Sequence, residues 1–288
     1  MTSTEMAILI SWLRILLIIQ PAGVAVGDLN TDGFLDIVVV NQLGNSISIL
    51  IGNGLGSFQP QPEIPLPVQY NPLDVAVGYF NGDGDLDIVV TNPSFGRVTV
   101  LYGTGSGSFQ QVPFQAGFTP SRVAVGDLNA DGLLDIVTVD LSGNSVTYPV
   151  GSRPLGVAVG DFNSDGYLDI VTSNADDSTV SVLLNTGSGS FQQQTTFSVG
   201  SAPYGVAVGD FDEDGNLDIV ATNVDDNTVS VLLGTGSGSF QQQVIFPVGT
   251  RPQRVAVGDL NGDGQLDIVT TNFGDNTLSI LFGKSCDS

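Results

Sequence analysis

Histidine is absent from the 288 residues, cysteine occurs once (Cys286), and lysine plus arginine together number only 7. Each absence excludes chemistry. Without histidine there is no His general base, no Ser-His-Asp or Cys-His nucleophile and no His-ligated zinc. One cysteine makes neither an intrachain disulfide nor a Cys-based metal site. Acidic residues number 30, so the formal charge is −23. Such a chain repels phosphate backbones, which excludes nucleic acid as a partner. No N-x-S/T acceptor occurs. Nothing points to a small-molecule cofactor either: the Gly-Ser stretches at Gly103–Phe109, Gly187–Phe191 and Gly234–Phe240 lack the P-loop lysine and precede no helix, so they read as hairpin turns. Charged residues make up 13% of the chain, about half the ~25% of ordinary domains. What is abundant is apolar surface: 41% hydrophobic residues with a mean hydropathy of +0.24, enough to form a core and to exclude disorder.

The apolar residues are organised in copies. Six segments align: Val24–Val38 (VAVGDLNTDGFLDIV), Val75–Val89, Val123–Val137, Val157–Val171, Val206–Val220 and Val255–Val269 (VAVGDLNGDGQLDIV). Their first loop residues stand at 28, 79, 127, 161, 210 and 259, at intervals of 51, 48, 34, 49 and 49. A period near 49 without helical spacing fits a propeller blade. Each full unit reads as four short strands. Strand A is VAVGDF, B is LDIVTTN, C is TVSVLLG and D is the FQQQ stretch ending near Val-Gly. All are bounded by Gly, Asn, Asp and Pro clusters. One such sheet cannot bury both faces, and radial stacking of sheets does so. The expected fold is therefore all-β: a β-propeller of six to seven four-stranded blades over residues 21–288, with the third blade truncated. The short 34-residue interval predicts partly irregular chain over Asp140–Gly156. A deletion in the gene would leave the same mark.

Residues 1–20 depart from the pattern. Ala7–Ile19 (AILISWLRILLII) is apolar apart from Ser11 and Arg14, yet short for a membrane span of about 20 residues. Three readings stay open: a degenerate signal or anchor, a strand D that closes the ring by completing the sixth copy, which runs out after strand C at Gly283, or an extension without a role in the fold. Membrane association is expected only through residues 7–19.

Between strands A and B every copy carries the nine-residue pattern D-x-N-x-D-G-x-L-D. Side-chain oxygens at positions 1, 3, 5 and 9, with the backbone carbonyl at position 7, form an all-oxygen set that suits Ca²⁺ better than Mg²⁺. The candidate ligands are Asp28, Asn30, Asp32, Phe34 and Asp36; Asn81, Asp83, Asp85 and Asp87; Asp127, Asn129, Asp131, Leu133 and Asp135; Asp161, Asn163, Asp165, Tyr167 and Asp169; Asp210, Asp212, Asp214, Asn216 and Asp218; and Asp259, Asn261, Asp263, Gln265 and Asp267. Glycine at position 6 supplies the turn with φ > 0. An EF-hand is excluded, because position 12 is Val, Thr or Ala in every copy and the flanks are strands. Positions 1, 3, 5 and 9 hold 18 of the 30 acids. Such crowding is strongly repulsive without a counter-ion. Five to six Ca²⁺ ions are expected. Tyr79 at position 1 makes the second site the weakest, with Asp85 as partial compensation. Asp212 at position 3 gives the fifth site four carboxylates and makes it the tightest. Sites of extracellular type, with Kd of about 10⁻⁴–10⁻³ M, each add up to about 1.4 kcal/mol at about 1 mM Ca²⁺. In a cytosol with sub-micromolar Ca²⁺ that stabilisation vanishes, so an extracellular setting, secreted or cell-surface, is expected.

The motif VAVGDFNxDGxLDIVxxN…VSVLLGxGxGSF, recurring over residues ~20–283, resembles the FG-GAP/VCBS repeat family, which includes the N-terminal β-propeller of integrin α subunits. The resemblance implies structural calcium in the loops, with Asp127, Asn129, Asp131, Asp135 and their equivalents as ligands. It also implies a non-catalytic recognition or adhesion module, or alternatively a carbohydrate-active propeller of lectin or lyase type. A lyase without histidine needs Lys284, an arginine, or a tyrosine such as Tyr148, Tyr167 or Tyr204 as base, so the chain is not expected to be an enzyme. Strand alternation places A–B and C–D turns on one face and B–C turns with D–A links on the other. Arg97, Arg122, Arg153, Arg251 and Arg254 fall on that second face with Asp177, Asp226 and Asp275. This mixed-charge face is the expected site for a protein or carbohydrate ligand.

Overall fold

The computed structural model describes residues 21–67, 69–105, 107–141 and 148–283. The apolar run 7–19 with its three readings, Lys284 and Cys286 lie outside the described residues. The first copy forms β1 (Pro21–Gly27), β2 (Asp36–Asn41) and β3 (Ser46–Gly52), with short β4 (Phe58–Pro60) and β5 (Ile64–Pro65) both pairing with β3. The second forms β6 (Val75–Gly78), β7 (Asp87–Asn92), β8 (Arg97–Gly103) and β9 (Phe109–Gln115). The third has only β10 (Pro120–Gly126) and β11 (Asp135–Asp140) among the described residues. The fourth forms β12 (Pro154–Gly160), β13 (Asp169–Asn174), β14 (Thr179–Leu183) and β15 (Thr195–Ser198). The fifth forms β16 (Pro203–Gly209), β17 (Asp218–Asn223), β18 (Thr228–Leu232) and β19 (Val244–Pro247). The sixth ends the series with β20 (Pro252–Gly258), β21 (Asp267–Asn272) and β22 (Thr277–Leu281).

The fold is an all-β propeller, and no α-helix occurs among the described residues. Among the described residues a 3₁₀ turn spans Pro93–Phe95. Five sheets of three to five strands are blades, and the third copy is a two-stranded hairpin. Five blades replace the six to seven expected from the six loop motifs. The physical reason is chain length: the 34-residue interval omits the GTGSGSFQQQ region that makes the C–D turn and leads into strand D elsewhere. The chain divides into two compact units. One comprises Met1–Val125 with Leu133–Val146, the other Gly126–Gly132 with Thr147–Ser288.

Within each blade the antiparallel register is set by the loop pattern. Gly160 lies opposite Asp169, and the ladder runs to Pro154 opposite Asn174, with a bulge between Pro154 and Gly156. The same register recurs in β1–β2, β16–β17 and β20–β21. The β-branched DIV runs of strand B are central, paired on both edges, and β7, β13 and β17 are buried along their whole length. Burying Val and Ile on both faces is what such runs do best. Strand D lies on the outside: β19 is exposed along its whole length. The stretch expected as strand D does supply it, but in the fourth and fifth copies the strand falls in its later half, just before the Val-Gly, and not on FQQQ itself. Only Phe191 and Phe240 make single bridges there, to Asn185 and Gly234, and the strands form later, at β15 and β19. The glutamines act through side chains instead: Gln194 and Gln243 accept hydrogen bonds from Ser181 and Ser230.

Candidate metal centre

Each A–B loop leaves strand A at its final glycine and re-enters strand B at the facing aspartate, so positions 1 to 8 must coil over one cross-strand pair. Two left-handed residues make the coil. Glycine at position 6 has φ of 86° at Gly33 and 87° at Gly215. Position 4 is left-handed as well, at Thr31, Ala130, Ser164 and Glu213 with φ of 58–60°, a requirement the sequence reading missed. Glycine stands at position 4 only in the second and sixth loops, at Gly82 and Gly262, which hid the signal. Branched or bulky residues adopt this region at a cost that a bound partner or internal bonds must offset.

The coil turns its first aspartate inward. Asp210 Oδ1 accepts from Asp214 N at 3.1 Å and Oδ2 from Gly215 N at 2.9 Å. Asp28, Asp161 and Asp259 do the same in their loops, as does Asp127 with Asp131 N and Gly132 N. Tyr79 offers no such oxygens, and the second loop keeps only the Asn81–Asp83–Asp85 part of the pattern. There Asn81, Asp83 and Asp85 line an open cleft of about 370 Å³ with Tyr102 and Gln110. At position 3, the amides of Asn30, Asn81, Asn163 and Asn261 donate to the position-5 carboxylates at 2.7–2.9 Å. Asp212 has no donor to offer Asp214, so the fifth loop replaces an internal bond with repulsion. Carboxylate oxygens of Asp210, Asp212 and Asp218 lie within 4.8 Å of one another.

Position 9 is tied more tightly than the sequence suggested. Asp36, Asp87, Asp169, Asp218 and Asp267 are fully buried. Each accepts one backbone N–H from position 2 of its loop and a second from the end of strand C. For Asp218 the donors are Phe211 and Gly234, both at 2.7 Å; for Asp169 they are Phe162 and Asn185. The five aspartates thus staple the loop to strand C. Burial pushes Asp169 and Asp218 up to about 6, against the lowering effect of those N–H donors and with repulsion from their neighbours in the loop. Burial raises Asp87 as well. Asp259 moves the other way, lowered chiefly by the Gly264 N–H. Position 7 side chains lie against the C–D turn: a Cβ on Gly54 would fall 2.2 Å from the Phe34 ring, and one on Gly236 2.3 Å from Asn216 Oδ1. A–B and C–D turns therefore share a face, as strand alternation implied.

The donor set fits a hard divalent cation: oxygen only, with two to four carboxylates per loop and a flexible coil of backbone carbonyls, which suits Ca²⁺ better than Mg²⁺. Residues at positions 1, 3, 5 and 9 would hold it, with the position-7 carbonyl. The remaining predicted residues sit elsewhere. Asp177, Asp226 and Asp275 each accept a backbone N–H from the preceding D–A link, at Ser152, Ser201 and Thr250. They tie links to B–C turns, a structural task the sequence reading did not assign. Arg153 pairs with Asp176 at 2.9 Å, and Arg251 lies 6.0 Å over the Phe273 ring. Arg97 is exposed and Arg254 half-buried. Arg122 is buried and donates to Ser121 O, so it leaves the exposed face on which the sequence reading placed it.

FG-GAP-like repeat sequences match residues 28–90, 79–138, 161–221 and 211–270. The chain belongs to the FG-GAP-like repeat family. Each matched stretch runs from one A–B loop through the next, and together they span more than half of the chain. None of the curated proteins compared with it matches. Solved structures similar to this FG-GAP-like protein include a functionally unknown protein of Desulfotomaculum acetoxidans (18% identity, 87% of this chain and 81% of that chain, TM-score 0.57). A protein of Bacteroides uniformis described as a candidate 6-phosphogluconolactonase is similar too (16% identity, 90% and 80%, TM-score 0.66). So is a protein of Lactobacillus plantarum (15% identity, 91% and 84%, TM-score 0.56). At such identities the likeness is one of fold.

Proposed function

We propose that this FG-GAP-like protein is a non-catalytic, extracellular recognition propeller whose A–B loops are fixed by Ca²⁺. The observation that carries the reading is the approach of the Asp210, Asp212 and Asp218 carboxylate oxygens to within 4.8 Å of one another. Three like charges at that spacing need a counter-ion. The loops without Asp212's equivalent carry one carboxylate fewer, or two fewer in the second loop with Tyr79, and bind more weakly. The ligand is a protein or carbohydrate held on the opposite face, where Arg251 with Phe273 and Arg153 with Asp176 offer exposed charge and one aromatic surface. Calcium acts there at a distance, by holding the blades that present the turns.

Calorimetric titration of chelator-stripped protein tests the calcium reading. Ca²⁺ is expected to release or absorb heat in graded steps, the fifth site first and the second last, and to raise the melting temperature. No binding heat together with an unchanged melting temperature would refute it. A glycan array probed with and without EDTA then separates sugar-directed from protein-directed recognition.

A further inference from the structure

The residue at loop position 2 sets how an A–B loop meets the C–D turn of the following copy. In the second compact unit that residue is Phe162. Its ring is buried and meets the ring of Phe240, just after the next copy's C–D turn, edge-on with 5.6 Å between centroids. Phe197 meets Phe240 in the same manner at 5.1 Å. Edge-to-face pairs at these separations are favourable. The C–D turn lies down on the cluster. Gly238 N donates to the Phe162 carbonyl oxygen at 2.9 Å, and a Cβ on Gly238 would fall 2.6 Å from Leu184.

The equivalent seam in the first unit has lost two of the three rings. Leu29 stands where Phe162 does. Ile64 stands where Phe197 does, opposite Ile47 as Phe197 is opposite Val180. Only Phe109, the counterpart of Phe240, is aromatic. The turn before it stays open. None of the described residues lies within 4 Å of a Cβ on Gly107, and among them no bond like that of Gly238 joins Gly107 to Leu29. What remains is a cleft of about 220 Å³, walled by Leu29, Ile49, Ile51 and Phe109, with Asn30 and Gln61 as its polar part. Leu29 and Ile49 are buried and Gln61 is exposed, so the cleft runs from an apolar interior to an amide at the surface. An apolar cavity of about 150 Å³ already accommodates benzene.

We propose that this cleft binds a small uncharged aromatic compound, one aryl ring carrying a hydroxyl or amide group. The ring takes the place beside Phe109 that the Phe162 ring takes beside Phe240, and the polar group meets the Gln61 side chain. The occupant is a ring because the chain fills the same seam of its other unit with one. It is uncharged because no charged side chain lines the cleft and the formal charge of −23 repels anions.

Benzyl alcohol is the probe, titrated in calcium-containing buffer into the full chain carrying ¹³C-labelled isoleucine methyl groups. Saturable binding at one site is expected, with nuclear Overhauser contacts from the phenyl protons to the methyls of Ile49 and Ile51. Cyclohexylmethanol, without the flat ring, and benzoate, with a charge, are expected to bind more weakly. Leu29→Phe supplies the missing ring; it is expected to weaken benzyl alcohol binding by at least about tenfold and to keep or raise the melting temperature. Phe162→Leu changes only the seam of the other unit and is expected to leave the contacts to Ile49 and Ile51 in place. The contact map on wild-type protein depends on no variant folding. Absence of saturable binding overturns the proposal. So do contacts confined to other isoleucines, or a folded Leu29→Phe protein that binds as tightly as wild type.

Discussion

At loop position 9 one carboxylate serves two purposes. Asp169 and Asp218 take two backbone N–H groups each and also face the loop oxygens that would hold a cation. Burial is the larger influence, and both rise from 3.8 to about 6. A proton then binds the folded chain more tightly than the unfolded one. The stability this confers is complete below pH 3.8 and is lost as the pH rises through about 6. Chelator-stripped protein is therefore expected to melt at a lower temperature above pH about 7 than near pH 5. Asp259 and Asp275, both lowered, act only below the ordinary carboxylate range and leave this window unchanged. With saturating Ca²⁺ the order reverses, because the ion requires ionised ligands. Melting curves at the two pH values, with EDTA and with Ca²⁺, check both signs. A metal-free protein more stable at neutral pH would contradict the assignment of buried, raised aspartates.

Among the elements, strand A is where blades approach most closely. A Cβ on Gly205 would lie 2.5 Å from the carbonyl oxygen of Gln253 in β20. Gly205→Ala must push two backbones apart and is expected to cost about 2 kcal/mol, as overpacked sites do. Gly258→Ala, with none of the described residues within 4 Å of the added Cβ, is expected to cost almost nothing; urea midpoints of the two variants make the comparison. The sequence showed strands B and C and the loops between A and B clearly, since DIV runs and D-x-N-x-D-G spacing are local signals. It did not show where strand D begins: β9 takes in the glutamines of the second copy, whereas β15 and β19 start after them, and Gln194 and Gln243 bond instead through side chains to Ser181 and Ser230. Nor did it show why strand C ends in glycine at Gly52, Gly103, Gly234 and Gly283. There the backbone N–H must reach the position-9 aspartate while a Cβ would strike the position-8 carbonyl oxygen at 2.2–2.8 Å. Asn185 solves the same problem differently, donating its amide to the Leu168 carbonyl. Such constraints join residues far apart in the chain and leave no local pattern. The count of blades failed for a related reason: six loop motifs were visible, but a blade also needs strands C and D, and the third copy shows neither among the described residues.

For the molecule as a whole, charge decides how loops and ions add up. The formal charge is −23, with 18 of 30 acids concentrated in the six loops, and each bound Ca²⁺ offsets two of them. Removing all ions leaves that self-repulsion unrelieved, which destabilises the compact state. Tyr79→Asp tests this balance from the opposite side. It adds one more negative charge, yet it restores the position-1 carboxylate that accepts from positions 5 and 6 in the other five loops. The backbone is already coiled to receive it, with Gly82 at φ 71° and Gly84 at φ 89°. In EDTA the variant is expected to melt below wild type, because a third carboxylate joins Asp83 and Asp87 without a cation. In about 1 mM Ca²⁺ it is expected to gain up to about 1.4 kcal/mol over its metal-free form from the completed site, and titration should count one more tightly bound ion. An unchanged stoichiometry with the same melting loss in both buffers would mean that the position-1 aspartate serves the coil alone and that the cation, where bound, does not depend on it.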